Sequence, residues 1–249
     1  MDFDLVASIF NPILMDSQKI SLYRVKMDDL SVEFKEKIAT VLSQTDWVTI
    51  NHLSHPKTRQ KLILSRGLLR LLLSHYLRIK PKVIKLAINP WGKLYLPNHA
   101  LQFNLTHSGC YLVFALSEGY SVGVDVEQIR PLQCPHRLTQ RYGTPTEQTH
   151  WQTLAPPAQQ RYFFELWVAK EAYAKALGTG LTGTLGQFSG LETWDRTEIA
   201  PPGGWPAQLW RFTVADDYVG AVCWGITPGA DASTPVQTQS VDHFPPGFH

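Results

Sequence analysis

The chain has 249 residues, of which 44% are apolar and 18% charged, and its formal net charge is +2. This composition is that of an ordinary globular protein and excludes disordered, coiled-coil and collagen-like chains. The three cysteines are an odd number without Cys-x-x-Cys spacing, which argues against a disulfide framework and against a zinc site. The N-terminus is acidic and the longest apolar run contains two arginines, so we expect a cytoplasmic protein without a membrane partner.

Charge is distributed unevenly along the chain. No acidic residue lies between Asp46 and Glu118, whereas ten of the 23 Lys and Arg residues do. A long stretch with one sign of charge repels itself unless it faces an anion or the acidic remainder of the protein. The stretch therefore indicates binding of phosphate or nucleic acid, or contact with the acidic half. A solvated basic helix face is the simplest alternative.

The first half is predicted to form a small sheet with one long helix. Ser31 is placed as the N-cap of a short helix, and leucines at helical spacing predict a long helix over 59–78, which ends before Pro81. Residues rich in β-branched and aromatic side chains, separated by turn signals, predict strands at 20–26, 83–88, 101–105 and 111–116.

The second half repeats this mixture of strands with one long helix. We expect a loop around Pro131, Pro135 and Pro145, and a helix over 158–177 that Gly178 terminates. Strands are predicted at 121–127, 187–193, 208–214 and 219–226. The fold class is therefore α+β, with an N-terminal extension (1–18), an N-terminal half (19–117), a C-terminal half (118–228) and a disordered tail (229–249).

Two carboxylates lie on one face of the strand predicted at 121–127. The two-residue period of a strand places Asp125 and Glu127 together, about 7 Å apart, and the intervening valines on the opposite face. Such a pair suits Mg²⁺, which takes one or two protein carboxylates and completes its coordination with water and phosphate. A solvated strand face with a buried valine side would show the same pattern.

A second cluster lies on the helix predicted at 158–177. Trp167, Glu171 and Lys175 follow one another at intervals of four and share one face. They are consistent with an exposed Glu–Lys pair on the helix surface. Because a tryptophan on the same stripe suggests partial burial, the carboxylate and amine are also candidates for a metal ligand and a charge neutraliser.

A third cluster follows the strand predicted at 101–105. Thr106, His107 and Ser108 form a polar turn that offers donors to a phosphate oxygen. Adjacent strand residues point to opposite faces, and the chain lacks a Gly-x-Ser-x-Gly elbow here, so Ser108 is not predicted to be a nucleophile.

These three stretches together resemble the Sfp-type 4'-phosphopantetheinyl transferases. Phe103–Gly109 is similar to the first core motif of that family, and Gly123–Glu127 followed by Pro131 to the second. The stretch from Phe164 through Lys170-Glu171-Ala172 to Leu181 is similar to the third. The resemblance extends from about Ile20 to Ile226. It implies a monomer of two similar α/β halves related by pseudo-twofold symmetry, each a small, mostly antiparallel sheet packed with a long helix, with coenzyme A bound in the cleft between them.

The resemblance also implies residue roles. It assigns Asp125, Glu127 and Glu171 as Mg²⁺ ligands, and Lys175 as the residue that faces the pyrophosphate. Glu171 and Glu127 are candidates for the general base. The implied contacts to coenzyme A come from Thr106, His107, Lys93 and Arg66, with Lys57, Arg59 and Lys61 as further candidates. Leu94 and Thr106 depart from the family's usual Pro and Ser.

The implied activity is that of a holo-[acyl-carrier-protein] synthase type enzyme. It transfers the 4'-phosphopantetheine group of coenzyme A to a serine of an apo acyl or peptidyl carrier protein of fatty acid, polyketide or nonribosomal peptide biosynthesis, and it releases 3',5'-ADP. Two alternatives remain open from the residues alone. One is a Mg²⁺-dependent nuclease or phosphohydrolase, and the other is a single-stranded nucleic-acid binding module that uses the basic stretch. The resemblance implies no nucleic-acid partner.

Overall fold

The computed structural model describes residues 9–13, 20–178, 189, 197–199 and 206–225. Their helices are Val32–Lys37 (α1), Gln44–Asn51 (α2), Pro56–Leu77 (α3), Pro135–Tyr142 (α4), Pro145–Thr153 (α5) and Pro156–Leu177 (α6). Their strands are Asn11–Ile13 (β1), Ile20–Lys26 (β2), Ala87–Ile88 (β3), Leu94–Tyr95 (β4), Leu101–Ser108 (β5), Tyr111–Glu118 (β6), Ser121–Gln128 (β7), Thr197–Ile199 (β8), Ala207–Phe212 (β9) and Tyr218–Gly225 (β10).

The chain divides into two compact units. The first is built on Leu30–Lys85, and the second contains Phe10–Asp29 and the described residues of Leu86–Ala230. In the first unit, the leucines of α3 are buried around Arg70, whose guanidinium is almost fully buried. Arg70 forms an ion pair with Asp46 and donates to the carbonyl oxygens of Pro81 and Ile84 at 2.7 and 2.9 Å. The buried charge is therefore paired and its donors are satisfied.

The second unit holds two antiparallel four-stranded sheets. Their strand orders are β1-β2-β6-β5 and β7-β10-β9-β8, and β3 and β4 form a separate hairpin. Helix α6 packs against β7 and β10 of the second sheet. Apolar residues from both elements, including Val168, Ala172, Ala221 and Cys223, form the core between them. The C-terminal part of the fold is thus an antiparallel sheet covered by one long helix, as the sequence predicts.

Most of the predicted elements are confirmed, with ends that shift by a few residues. The strand predicted at 101–105 continues to Ser108, because it pairs with β6 until Ser108 faces Tyr111. Thr106, His107 and Ser108 therefore lie on a strand and not on a turn, and that expectation was wrong. The turn begins at Gly109, whose φ is +54°. A Cβ there would lie 2.0 Å from the Tyr218 hydroxyl, so the position requires glycine.

Two other predictions for local structure were wrong. The strand predicted at 83–88 is a 3₁₀ turn, Pro81–Val83, followed by the two-residue strand β3. The segment predicted as a loop around Pro135 and Pro145 contains α4 and α5, each of which begins with its proline at the first helical turn. Proline is favourable there, because the missing N–H has no partner within the helix anyway.

The α+β class is confirmed by these sheets and helices, whereas the pseudo-twofold relation and the division into halves at 117 remain predictions. The strand predicted at 187–193 lies outside the described residues except for Ser189, and the extension and tail predicted at 1–18 and 229–249 lie largely or wholly outside them. Among the helices that are described, none is both long and apolar enough to cross a membrane.

Candidate active site

The second unit positions the carboxylates of β7 beneath helix α6. Val122, Val124 and Val126 are buried in a core cluster, as the alternation predicts. Gly123 lies two residues before Asp125 and shares its face of the strand, opposite the valines. A Cβ at Gly123 would lie 2.1 Å from the carbonyl oxygen of Ala172. Only glycine allows this approach, which brings the last turns of α6 directly over the face that carries Asp125.

Asp125 is 4% exposed and is held through one oxygen. Its Oδ1 accepts a hydrogen bond from Thr106 Oγ1 at 2.9 Å and contacts Lys175 Nζ at 2.6 Å. Its Oδ2 is buried and has no hydrogen-bond partner among the described residues. Burial raises the pKa of Asp125 above its usual value, although Lys175 and Thr106 both favour the charged form.

Glu127 is held in a similar way two residues further along the strand. Its Oε2 accepts hydrogen bonds from Ser108 Oγ at 2.8 Å and from Arg130 Nη1 at 3.1 Å. Within the described part of the chain, Oε1 accepts none. Each carboxylate therefore has one oxygen bound by a β5 hydroxyl and a cation, while the other oxygen is available to a ligand.

The third carboxylate, Glu171, lies on α6 near this pair. Burial raises its pKa, the negative charges of Asp125 and Glu127 raise it further, and Lys175 lowers it. Lys175 forms its ion pair with Asp125 on the strand, and an ion pair with Glu171 does not form. The alternative prediction, an exposed ion pair between Glu171 and Lys175 on the helix surface, was therefore wrong.

Trp167, on the same face of α6, is partly buried. Its ring packs edge-to-face on Tyr142, with centroids 4.9 Å apart, and stacks near Phe163. The partial burial predicted for this face of the helix is confirmed.

The predicted metal ligands are close together but are not arranged as a coordination shell. Among the described residues, no three His, Cys, Asp or Glu side chains form a group that could hold a metal ion. The chemistry of the donors nevertheless fits Mg²⁺, which prefers carboxylate oxygens. A buried carboxylate oxygen without a partner is costly unless a ligand satisfies it. The free Oδ2 of Asp125 is such an oxygen.

Lys93, a predicted coenzyme A contact, is held in the second unit by the ends of β7 and α6. Its Nζ donates to the carbonyl oxygens of Val122 at 3.0 Å and Ala176 at 3.2 Å. Burial lowers the pKa of Lys93 to about 8. Asn89, on the same hairpin, donates to the carbonyl oxygen of Gly178 at 2.7 Å. This hairpin therefore satisfies carbonyl groups at the C-terminal end of α6, which the helix leaves unpaired.

The other predicted contacts to coenzyme A differ in their surroundings. Thr106 is buried against Asp125, whereas His107 is exposed on β5. Arg66, Lys57, Arg59 and Lys61 all lie on α3 in the first unit. Burial and the nearby charge of Arg70 lower the pKa of Arg66, while Asp46 raises it. Lys57 and Arg59 are exposed near the start of the helix, and Lys61 is partly exposed.

Comparison with known proteins connects this geometry to one family. The model of the 4'-phosphopantetheinyl transferase superfamily matches residues 121–223, which include β7 and α6. The 4'-phosphopantetheinyl transferase HetI of Nostoc sp. is 28% identical over 222 residues, 79% of this chain and 93% of that protein. The 4'-phosphopantetheinyl transferase Sfp of Bacillus subtilis is 26% identical over 208 residues, 82% of this chain and 92% of that protein.

The chain is similar to the 4'-phosphopantetheinyl transferases, within residues 121–223 to the superfamily model and over most of its length to HetI and Sfp. It is an enzyme of that class, as the motifs predict. A further relative is the putative 4'-phosphopantetheinyl transferase slr0495 of Synechocystis sp., which is 28% identical over 74% of this chain and 79% of that protein. The crystal structure of Thermotoga maritima holo-[acyl-carrier-protein] synthase covers 42% of this chain and 62% of that chain, with 21% identity and a TM-score of 0.29.

Several polar contacts of this phosphopantetheinyl transferase are not predicted by the sequence. Asn104 Oδ1 accepts a hydrogen bond from the Val124 N–H at 2.9 Å, and Ser108 and Arg130 hold Glu127. One signal was available, because Asn104, Thr106 and Ser108 alternate along a strand and so share one face. That face could have been expected to meet another polar strand. Nothing in the sequence identified the strand as β7.

Proposed function

We propose that this enzyme transfers the 4'-phosphopantetheine group of coenzyme A to a serine of an acyl or peptidyl carrier protein, with Mg²⁺, and releases 3',5'-ADP. The observation that carries the proposal is the Asp125 carboxylate, buried under α6 with Lys175 on one oxygen and the other oxygen free. Its relatives are named as 4'-phosphopantetheinyl transferases. This similarity supports a transferase over a nuclease, a phosphohydrolase or a nucleic-acid binding module.

The proposed metal ligands are Asp125, Glu127 and Glu171. The first two each offer one oxygen that the protein leaves available, and Glu171 is close enough for their charges to raise its pKa. Three carboxylates at close quarters repel one another, and a divalent cation would relieve that repulsion. A bound Mg²⁺ would supply a positive charge that neutralises the pyrophosphate oxygens during transfer.

The chain's own residues would orient the substrates and move the proton. The serine oxygen of the carrier protein forms a bond to the β-phosphorus of coenzyme A, and the bond from that phosphorus to the oxygen of the departing 3',5'-ADP breaks. Glu171 or Glu127 accepts the serine proton. Burial raises the pKa of Glu171 and so makes this carboxylate a better base. Lys175 lies beside Asp125, where its ammonium can also meet charge on the pyrophosphate.

The proposed contacts to the coenzyme A phosphates and adenosine are Thr106, His107, Lys93 and Arg66, with Lys57, Arg59 and Lys61 as alternatives. These residues all lie between Asp46 and Glu118, in the part of the chain that has no acidic residue and is called the acid-free stretch below. All of them except Thr106 and His107 are lysines or arginines. Charge-assisted bonds from such donors to phosphate are stronger than neutral ones. The stretch would therefore balance the high negative charge of coenzyme A.

The proposal is tested by mass spectrometry of a carrier protein. The enzyme is incubated with coenzyme A, Mg²⁺ and an apo acyl or peptidyl carrier protein, with the carrier's serine→Ala variant as the control. We expect the carrier to gain the mass of one phosphopantetheine group and one equivalent of 3',5'-ADP to appear, and the control to gain nothing. Release of 3',5'-ADP without a gain in carrier mass would show hydrolysis and contradict the proposed transfer.

A further inference from the structure

We propose that Ser108 is a positioning residue, which sets the Glu127 carboxylate in the orientation that a metal ion requires. This inference rests on the proposed function, since it assumes that Glu127 is a metal ligand. It gives Ser108, which the sequence suggested only as a donor to a phosphate oxygen, a role towards a carboxylate of the site.

The hydroxyl of Ser108 is fixed by two hydrogen bonds. Ser108 is 8% exposed, and its Oγ accepts from the Gln128 N–H of β7 at 3.0 Å. The same oxygen donates to Glu127 Oε2 at 2.8 Å. Because the backbone N–H occupies one lone pair, the hydroxyl hydrogen is directed at the carboxylate. The serine thereby ties Glu127 to the backbone of its own strand.

Ser108 is one of three polar residues that connect β5 to β7. Asn104 accepts from the Val124 N–H, Thr106 donates to Asp125 and Ser108 donates to Glu127. The partners advance along both strands together, so β5 and β7 lie side by side in the same direction, joined here through side chains. Thr106 and Ser108 each donate a hydroxyl to one oxygen of a carboxylate, and this repetition argues against a chance contact.

Arg130 also contacts the Glu127 carboxylate, but its side chain is more exposed than that of Ser108. The side chain of Arg130 is 57% exposed, and it contacts the same oxygen as Ser108. Exposed ion pairs contribute little, because water screens the charges and long side chains lose entropy. The buried Ser108 hydroxyl is therefore the main constraint on the carboxylate. With Oε2 held, Oε1 is the oxygen that Glu127 presents to a ligand.

Removal of such a supporting contact weakens metal binding. Loss of a hydrogen bond that orients a ligand lowers metal affinity by about 10-fold or more in metalloproteins. The test measures Mn²⁺ binding by electron paramagnetic resonance, with coenzyme A present and no carrier protein, so that no turnover occurs. Samples of coenzyme A without protein correct for Mn²⁺ bound by the substrate itself.

The variants separate orientation from packing. Ser108→Ala should bind Mn²⁺ about 10-fold more weakly than the unsubstituted enzyme. Ser108→Thr, which keeps a hydroxyl, should restore most of that affinity. Ser117→Ala is the matched control, because Ser117 is a 2% exposed serine on β6 whose hydroxyl has no partner in the described part of the chain. It should bind Mn²⁺ normally.

The outcomes distinguish this inference from the proposal beneath it. Unchanged Mn²⁺ affinity in Ser108→Ala would overturn the role of Ser108, whatever happens to the unfolding midpoint. A purely structural role would lower the midpoint of Ser108→Ala and leave the affinity intact. Absence of Mn²⁺ binding by the unsubstituted enzyme would instead refute the metal site, and the inference would fail with it.

Discussion

At the scale of single residues, the Asp125 carboxylate shares its donors with the proposed substrate site. Thr106 and Lys175, which the family resemblance directs to coenzyme A, both contact Asp125 Oδ1. A lysine between a carboxylate and a pyrophosphate can respond to both charges. We therefore expect Lys175 to couple the position of Asp125 on β7 to the proposed binding of coenzyme A.

Asp125→Asn should abolish transfer without unfolding the enzyme. The amide keeps the shape of the side chain but cannot balance a divalent cation. Burial raises the pKa of Asp125 in the folded protein, so its contribution to stability is present in acid and is lost as the pH rises through that raised pKa.

The free energy of unfolding of Asp125→Asn, measured without metal from pH 4 to pH 8, should therefore equal or exceed that of the wild type at neutral pH. As the pH falls and Asp125 becomes protonated, the free energy of unfolding of the wild type should rise relative to that of Asp125→Asn. Retained transfer by this variant would contradict the assignment of Asp125 as a ligand.

Lys175→Ala should lower turnover by about tenfold or more, if its ammonium meets charge that develops in the transition state. Steady-state kinetics with coenzyme A measure this. Lys37→Ala is a suitable control, because Lys37 pairs with Glu33 on an exposed helix surface. It should leave turnover unchanged and barely affect stability, because exposed ion pairs contribute little. If Lys175→Ala behaves like Lys37→Ala, Lys175 has no catalytic role.

Local sequence patterns predicted which faces of β7 and α6 carry polar side chains, but not the partners of those side chains. The alternation of β7 correctly predicted buried valines and a carboxylate face, because a two-residue period follows from strand geometry alone. The spacing of Glu171 and Lys175 suggested a pair within the helix. Lys175 instead contacts a residue 50 positions earlier. Contacts between distant segments depend on how strands and helices pack, which short-range spacing does not encode.

At the scale of secondary structure, the closeness of α6 to β7 depends on one glycine. Gly123 lies against the carbonyl oxygen of Ala172 and the N–H of Ala176. Gly123→Ala should displace α6, lower the unfolding midpoint and reduce transfer, since Lys175 and Glu171 would move away from Asp125.

Gly92→Ala is the control for this prediction. Its Cβ would meet no atom within 4 Å, although the φ of Gly92 is +88°. It should cost only the backbone strain of about 1–2 kcal/mol. Thermal unfolding and transfer assays of both variants make the comparison. Equal losses in the two variants would show that helix approach at Gly123 is not critical.

Helices α5 and α6 are also joined by a buried ion pair that the sequence did not reveal. Lys170 and Glu147 lie 3.1 Å apart, and both side chains are almost fully buried. Glu147 additionally accepts from the Thr144 N–H at the start of α5. The prolines of this segment favour a loop when the sequence is considered alone. In the structure Pro145 lies in the first turn of α5, where proline is compatible with a helix.

At the scale of the whole molecule, the acid-free stretch spans both compact units. Arg66 lies in the first unit, while Lys93 and His107 lie in the second. The sequence correctly predicted the α+β fold class, and it shows the charge asymmetry directly. It did not predict that Leu30–Lys85 forms its own unit, because the helix periodicity of α3 shows which face is buried without showing what covers it.

Arg66→Ala should narrow the preference of the enzyme for coenzyme A over dephospho-coenzyme A. A charge-assisted contact to the 3'-phosphate helps only the substrate that carries it. KM for coenzyme A should rise with little change in kcat, because this phosphate is remote from the bond that breaks. Steady-state kinetics on both substrates decide the point. An unchanged preference would exclude Arg66 and favour Lys57, Arg59 or Lys61.

The carboxylates of β7 and α6 are proposed to hold a divalent cation for phosphopantetheine transfer. The most direct measurement is the rate of carrier modification after complete chelation, followed by titration with Mg²⁺. We expect no transfer by the chelated enzyme and full recovery with Mg²⁺, and Asp125→Asn should not recover at any Mg²⁺ concentration. Transfer at an undiminished rate in the presence of the chelator would show that the enzyme needs no divalent cation.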